Sequence, residues 1–129
     1  MNAQEDFSTV SVIDQDSAVR EGLSALLGTM GVTVTSFKDA QSYLDFAASQ
    51  VTPDSCIIVE AELGGVGILE FLKRLRAKPI MPPVLVMVSR LNTTIADLVL
   101  SAGASDLVNK PLVSDDLLQH LHQALKKVR

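Results

Sequence analysis

"VSVIDQDSAVREGLSALLGTMG", residues 10–31, holds a complete structural unit in one reading. A β-branched apolar run from Thr9 to Ile13 ends on the polar turn Asp14, Gln15 and Asp16. The period then changes from two to 3.6, with Val19, Leu23, Leu26, Leu27 and Met30 on one helical stripe. Asp16 or Ser17 is suited to cap that helix and Gly31 to close it. Working outward, the unit recurs four times. Further strand candidates are Val32 to Phe37, Cys56 to Val59, Val84 to Val88 and Ser105 to Val108. Helical stretches follow at Ala40 to Gln50 (opened by Asp39, with Tyr43, Leu44 and Ala47 in period), Ile68 to Ala77, Thr93 to Ala102 (stopped at Gly103) and Ser114 to Val128. Five β/α units in strict alternation imply a parallel sheet with helices on both faces. The third and fourth strands are apolar nearly throughout, as doubly covered strands should be.

Composition sets the bounds. At 129 residues, with 47% hydrophobic and 20% charged, the chain is one domain able to bury a core, here taken as residues 1–129. No apolar run reaches the ~20 residues of a membrane span. The start, MNAQEDFSTV, is unlike a secretory signal. One cysteine allows no internal disulfide and suits the cytoplasm. A net charge of -4 argues against direct nucleic-acid binding.

In an open α/β sheet, ligands gather at the carboxyl ends of the strands. Those ends carry Asp14, Gln15 and Asp16, then Glu60, Ala61 and Glu62, then Val88, Ser89 and Arg90, then Asn109, Lys110 and Pro111. Crowded carboxylates raise one another's pKa unless a cation relieves them. Lys110 or a hard divalent ion could supply that charge. A structural ion pair with helix caps explains the same pattern, and the residues alone leave both readings open.

"VSVIDQDSAVREGLSALLGTMG", "SAGASDLVNKPL" and the fivefold alternation resemble the receiver domain of bacterial two-component response regulators, from about Thr9 to Lys127. The resemblance implies a CheY-like, flavodoxin-like (βα)5 sandwich with sheet order 2-1-3-4-5. It also implies a pocket in which an acidic pair after strand one and an aspartate after strand three hold Mg²⁺. That aspartate accepts a phosphoryl group from a histidine kinase. A threonine or serine after strand four and a lysine before proline bind the phosphoryl oxygens.

Carried over residue by residue, the pattern breaks. Asp14 matches the first acid, but Gln15 stands where the second belongs, and Asp16 does not replace it in register. Glu60 occupies the phosphoacceptor position, one methylene longer than aspartate. Val88 stands in for the hydroxyl residue, with Ser89 one place late and expected on the other strand face. Leu107 replaces the usual switch aromatic. Lys110 and Pro111 are intact, with a cis bond between them as an expectation.

These departures lead us to expect a degenerate receiver: no enzyme, no required cofactor, and Glu60 paired with Lys110 across the vacated metal site. Weak Mg²⁺ binding through Asp14 and Glu60, or a working phospho-receiver that tolerates Glu60 and Gln15, stays open. A flavodoxin-like cofactor protein is the remote alternative. His120 and His122, two apart, point to different sides and do not share a metal. Cys56 reads as an apolar filler. Function is then expected on the surface, as a protein partner or homodimer contact through helix four, strand five and helix five. Leu91, Leu98 and Leu107 are the candidate contacts, with Ala96, Val99 and Leu100 facing the sheet. No membrane contact is expected. An effector domain, such as a DNA-binding one, is left open for a longer chain.

Overall fold

A computed structural model describes residues 9–50, 54–89 and 93–110. Five parallel strands form one sheet in the order β2-β1-β3-β4-β5. They are β1 (Thr9–Ile13), β2 (Thr33–Phe37), β3 (Cys56–Glu60), β4 (Val84–Ser89) and β5 (Asp106–Lys110). Helices α1 (Ser17–Gly28), α2 (Ala40–Ala47), α3 (Ile68–Arg76) and α4 (Thr93–Ser101) connect them. The expected final helix, its two histidines, the Lys110–Pro111 bond, Arg90 and Leu91 lie outside the described residues, and so does the side chain of Ser89.

The sheet's alternation divides the core in two. Ile13, Ile57, Val59, Val84, Val86 and Val88 face α2, α3 and α4, meeting Tyr43, Phe71, Leu72, Leu75 and Val99. Val10, Val12, Ile58, Leu85, Met87 and Val108 face the other way, against Leu23 and Leu27 of α1. All five residues of β3 are buried, which its position between β1 and β4 requires.

The expected caps form. Asp16 accepts from the Ala18 amide and Asp39 from the Ser42 amide. Gly31 ends the first unit at φ 80°. Two helical assignments need correction. Met30 does not complete the apolar stripe of α1: it lies beyond the last helical turn and is 38% exposed. Leu100 does not face the sheet but is 44% exposed; Ile95, Val99 and Ala102 supply the inward stripe instead.

Gly103 closes α4 at φ 120°, and a Cβ there would stand 2.9 Å from Arg76 Cδ. Gly103→Ala is expected to cost about 1–3 kcal/mol of stability, chiefly through backbone strain. A shift in urea midpoint at constant slope would measure it.

Candidate functional site

Three strands, β1, β3 and β5, bring a charged side chain to this rim at or just after their carboxyl ends. Asp14 follows β1 and is fully buried, while Glu60 closes β3 at 4% exposed. Lys110 closes β5, on the sheet face of Val108 two residues earlier. Its ammonium lies 2.9 Å from Asp14 Oδ2 and 3.4 Å from Glu60 Oε1. The remaining carboxylate oxygens are held by backbone. The Gln15 amide donates to Glu60 Oε2 at 2.8 Å, and the Asp16 amide to Asp14 Oδ1 at 2.9 Å. The Asp14 contact with Lys110 is a charge contact: no hydrogen bond is aligned on that buried Oδ2 among the described residues.

Two further side chains lock the turn. Arg20 Nη1 donates to the Asp14 carbonyl at 2.7 Å, reaching back from the first turn of α1. Gln15 Nε2 donates to the Glu62 carbonyl at 3.3 Å, tying the loop after β1 to the loop after β3. The sequence reading treated Gln15 only as a lost ligand and passed over Arg20. A polar residue four positions after the capping Asp16 was the faint signal for the latter.

The site therefore joins Asp14, Glu60 and Lys110, with Gln15 bracing it. Asp16 stays outside as an exposed helix cap. Val88 is buried but belongs to the core cluster on the α4 side, with Ala61 and Val99, rather than to the charged triad. Leu107 is half-buried and packs against that same cluster.

This donor set does not fit a hard divalent ion. An ammonium already sits against both carboxylates, and the Gln15 side-chain amide is directed to Glu62. Among the described residues, no three His, Cys, Asp or Glu side chains are grouped to hold a metal.

The electrostatics follow from burial. Desolvation pushes the Glu60 carboxyl above its ordinary 4.5; the Gln15 amide pulls it back, the Asp14 charge raises it again, and Lys110 lowers it. For Lys110, burial opposes the charge, but the close contact and charge of Asp14, then those of Glu60, outweigh it and raise the pKa. Above pH 4.5 the folded state holds the Glu60 proton longer than the unfolded state does. Stability contributed by this group therefore falls as pH rises through the raised value. The Lys110 contribution is complete below 10.5 and is lost as pH rises through its folded pKa. A ¹³C NMR titration is expected to place the Glu60 midpoint above 4.5, and Glu60→Gln should flatten the associated decline in stability. Burial pushes the Cys56 thiol to about 12, which keeps it unreactive.

The response regulator receiver domain family matches residues 10–122 of this chain. The transcriptional regulatory protein FixJ of Bradyrhizobium diazoefficiens is 32% identical over 118 residues, 92% of this chain and 57% of that protein. FixJ of Azorhizobium caulinodans is 36% identical over 102 residues, 79% of this chain and 47% of that protein. The chain thus spans about half the length of these curated relatives. The crystal structure of full-length FixJ from B. japonicum superposes with a TM-score of 0.85 at 30% identity, covering 95% of this chain and 59% of that one. The chemotaxis regulator CheY4 of Vibrio cholerae shares the fold, with a TM-score of 0.83 at 21% identity, covering 92% of this chain and 99% of that one. The remote flavodoxin-like cofactor reading is set aside by these matches. This chain belongs to the response regulator receiver domains of two-component signal transduction.

Proposed function

We propose that this receiver takes no phosphoryl group and serves as a binding and regulatory module within a cytoplasmic two-component pathway. One observation carries the reading: the Lys110 ammonium contacts both Asp14 and Glu60. Glu60 is engaged at both oxygens, one by Lys110 and the other by the Gln15 amide. A carboxylate so held is neither a free nucleophile nor a metal ligand, and the longer side chain moves its oxygens by about 1 Å, enough to cost about a hundredfold in a positioned reaction. Internal charge thereby replaces the metal, and no enzymatic turnover is assigned to the domain.

The test is a ¹⁵N–¹H NMR spectrum recorded with Mg²⁺ and then with Mg²⁺ plus beryllium fluoride. Spectra unchanged at Asp14, Glu60 and Lys110 are expected. Shifts at these residues that saturate only with both additions would make the domain a working phospho-receiver.

The partner or homodimer contact is assigned to the face of α4 and β5. Leu98 is 47% exposed and is the anchor there, while Leu107 has turned inward. Leu98 and Leu100 flank the buried stripe on opposite shoulders, about 160° apart around the helix, so a flat partner reaches one of them at a time. Leu98→Asp is expected to weaken concentration-dependent association by about tenfold or more in sedimentation velocity. Association unaffected by this change would move the contact off α4. An effector domain in the full-length protein is proposed from the half-length match to FixJ.

A further inference from the structure

At the opposite end of the sheet, between the carboxyl ends of α2 and α3, lies a cleft of about 360 Å³. That volume is within the ~300–1,000 Å³ range of small-molecule sites. Leu75, Pro79, Ile80 and Pro82 supply apolar wall, and Ile80 is 65% exposed. Tyr43, Asp54 and Lys78 supply the polar groups.

Asp54 is held firmly. The buried Ser11 hydroxyl donates to Asp54 Oδ2 at 3.0 Å and the Tyr43 hydroxyl donates to the same oxygen at 2.9 Å. Burial, then the charge and hydrogen bond of Asp54, raise the Tyr43 phenol well above its ordinary pKa, so it remains a donor. Both hydrogen bonds to the carboxylate fall on Oδ2, and among the described residues none reaches Oδ1. Lys78 lines the same cleft and is half-buried, yet no ion pair joins it to Asp54 among the described residues. Two opposite charges that share a cleft without satisfying each other are complementary to an external dipole.

We propose that this cleft binds a small zwitterion of the α-amino-acid class with an apolar side chain. Its ammonium meets Asp54, its carboxylate meets Lys78, and the side chain lies against Leu75, Ile80 and Pro82. The site is separate from the charged triad and independent of whether the triad accepts a phosphoryl group.

The experiment is an NMR titration of the ¹⁵N-labelled domain with L-leucine, L-isoleucine and L-phenylalanine. At least one is expected to give saturable shifts at Ala48, Asp54, Lys78 and Ile80, with a Kd on the order of 1 mM. Two leucine analogues carry one charge each: 3-methylbutylamine lacks the carboxylate and 4-methylpentanoate lacks the ammonium. Each is expected to bind about tenfold more weakly than leucine. Lys78→Met, a change at the half-buried rim, should weaken amino-acid binding about tenfold while the rest of the spectrum stays in place. Asp54→Asn should do the same, and its spectral dispersion reports whether the Ser11 and Tyr43 contacts survive. Three results would overturn the proposal: no saturable shift with any of the three amino acids, an analogue that binds as well as leucine, or binding unchanged in Lys78→Met.

Discussion

Lys110→Met is expected to destabilise the domain by about 3 kcal/mol, at the lower end of the cost of breaking a buried ion pair because the lysine side chain is 30% exposed. That is a large part of the ~5–15 kcal/mol that holds a domain folded. The variant leaves Asp14 and Glu60 buried beside each other with no cation. With the cation gone, the Asp14 charge raises the Glu60 carboxyl further and favours its protonation. The loss should accordingly shrink as pH is lowered, which urea denaturation across a pH series would show. Converting all three charges, as Asp14→Asn, Glu60→Gln and Lys110→Met together, should recover most of the stability, because neutral polar groups carry a far smaller desolvation penalty. A cost under about 1 kcal/mol for Lys110→Met alone would mean that solvent screens the triad as it would a surface pair.

The second large effect runs in the opposite direction. Gln15→Asp, Glu60→Asp and Val88→Thr together are expected to create Mg²⁺-dependent phosphorylation by acetyl phosphate, at least about a hundredfold faster than in the parent chain. Intact mass would report the added phosphoryl group. Aspartate at position 60 withdraws the carboxylate from Lys110. A second aspartate supplies an anionic oxygen for the metal, and threonine supplies a hydroxyl near the end of β4 that has a use only once a phosphoryl oxygen is within reach. The single changes should each achieve little. Gln15→Asp alone leaves the ammonium against both carboxylates. Val88→Thr alone buries a hydroxyl within an apolar cluster, where an unmet hydrogen bond costs about 1–3 kcal/mol. No labelling of the triple variant would place the determinants of phosphotransfer elsewhere, in the loops rather than in these three side chains.

The triad's membership was legible from strand ends alone, because alternating β/α units bring the carboxyl ends of parallel strands to one rim. Asp14 directly follows β1, Glu60 and Lys110 end β3 and β5, and each carries charge, so their convergence needed only the sheet to form. The departures at Gln15 and Val88 were equally legible, since each is a matter of chemical type at a numbered place. What Gln15 does was not: its contact with the Glu62 carbonyl spans two loops that sequence spacing does not relate. Asp54 was hidden for the same reason. Its two hydroxyl partners come from β1 and α2, although Ser11 within an apolar strand and the chain's one tyrosine were each a hint that a buried donor needed an acceptor.

Helix four shows how far periodicity reaches. A run as apolar as Ile95 to Leu100 fits several inward stripes, and Val99 belongs to nearly all of them. The packing against β4 and β5 selected the stripe of Ile95, Val99 and Ala102 and left Leu98 and Leu100 in solvent. The sequence by itself determined the alternation of elements, the caps at Asp16 and Asp39, the burial of β3 and the identity of the charged rim, because these rest on local propensity and on period. The pairing of Glu60 with Lys110 was anticipated too; only the tertiary structure set the ammonium closer to Asp14 than to Glu60. Whether an ammonium stands between two carboxylates or apart from them depends on how the side chains are placed at the strand ends and on their desolvation, and both arise only once the sheet is closed in by its helices.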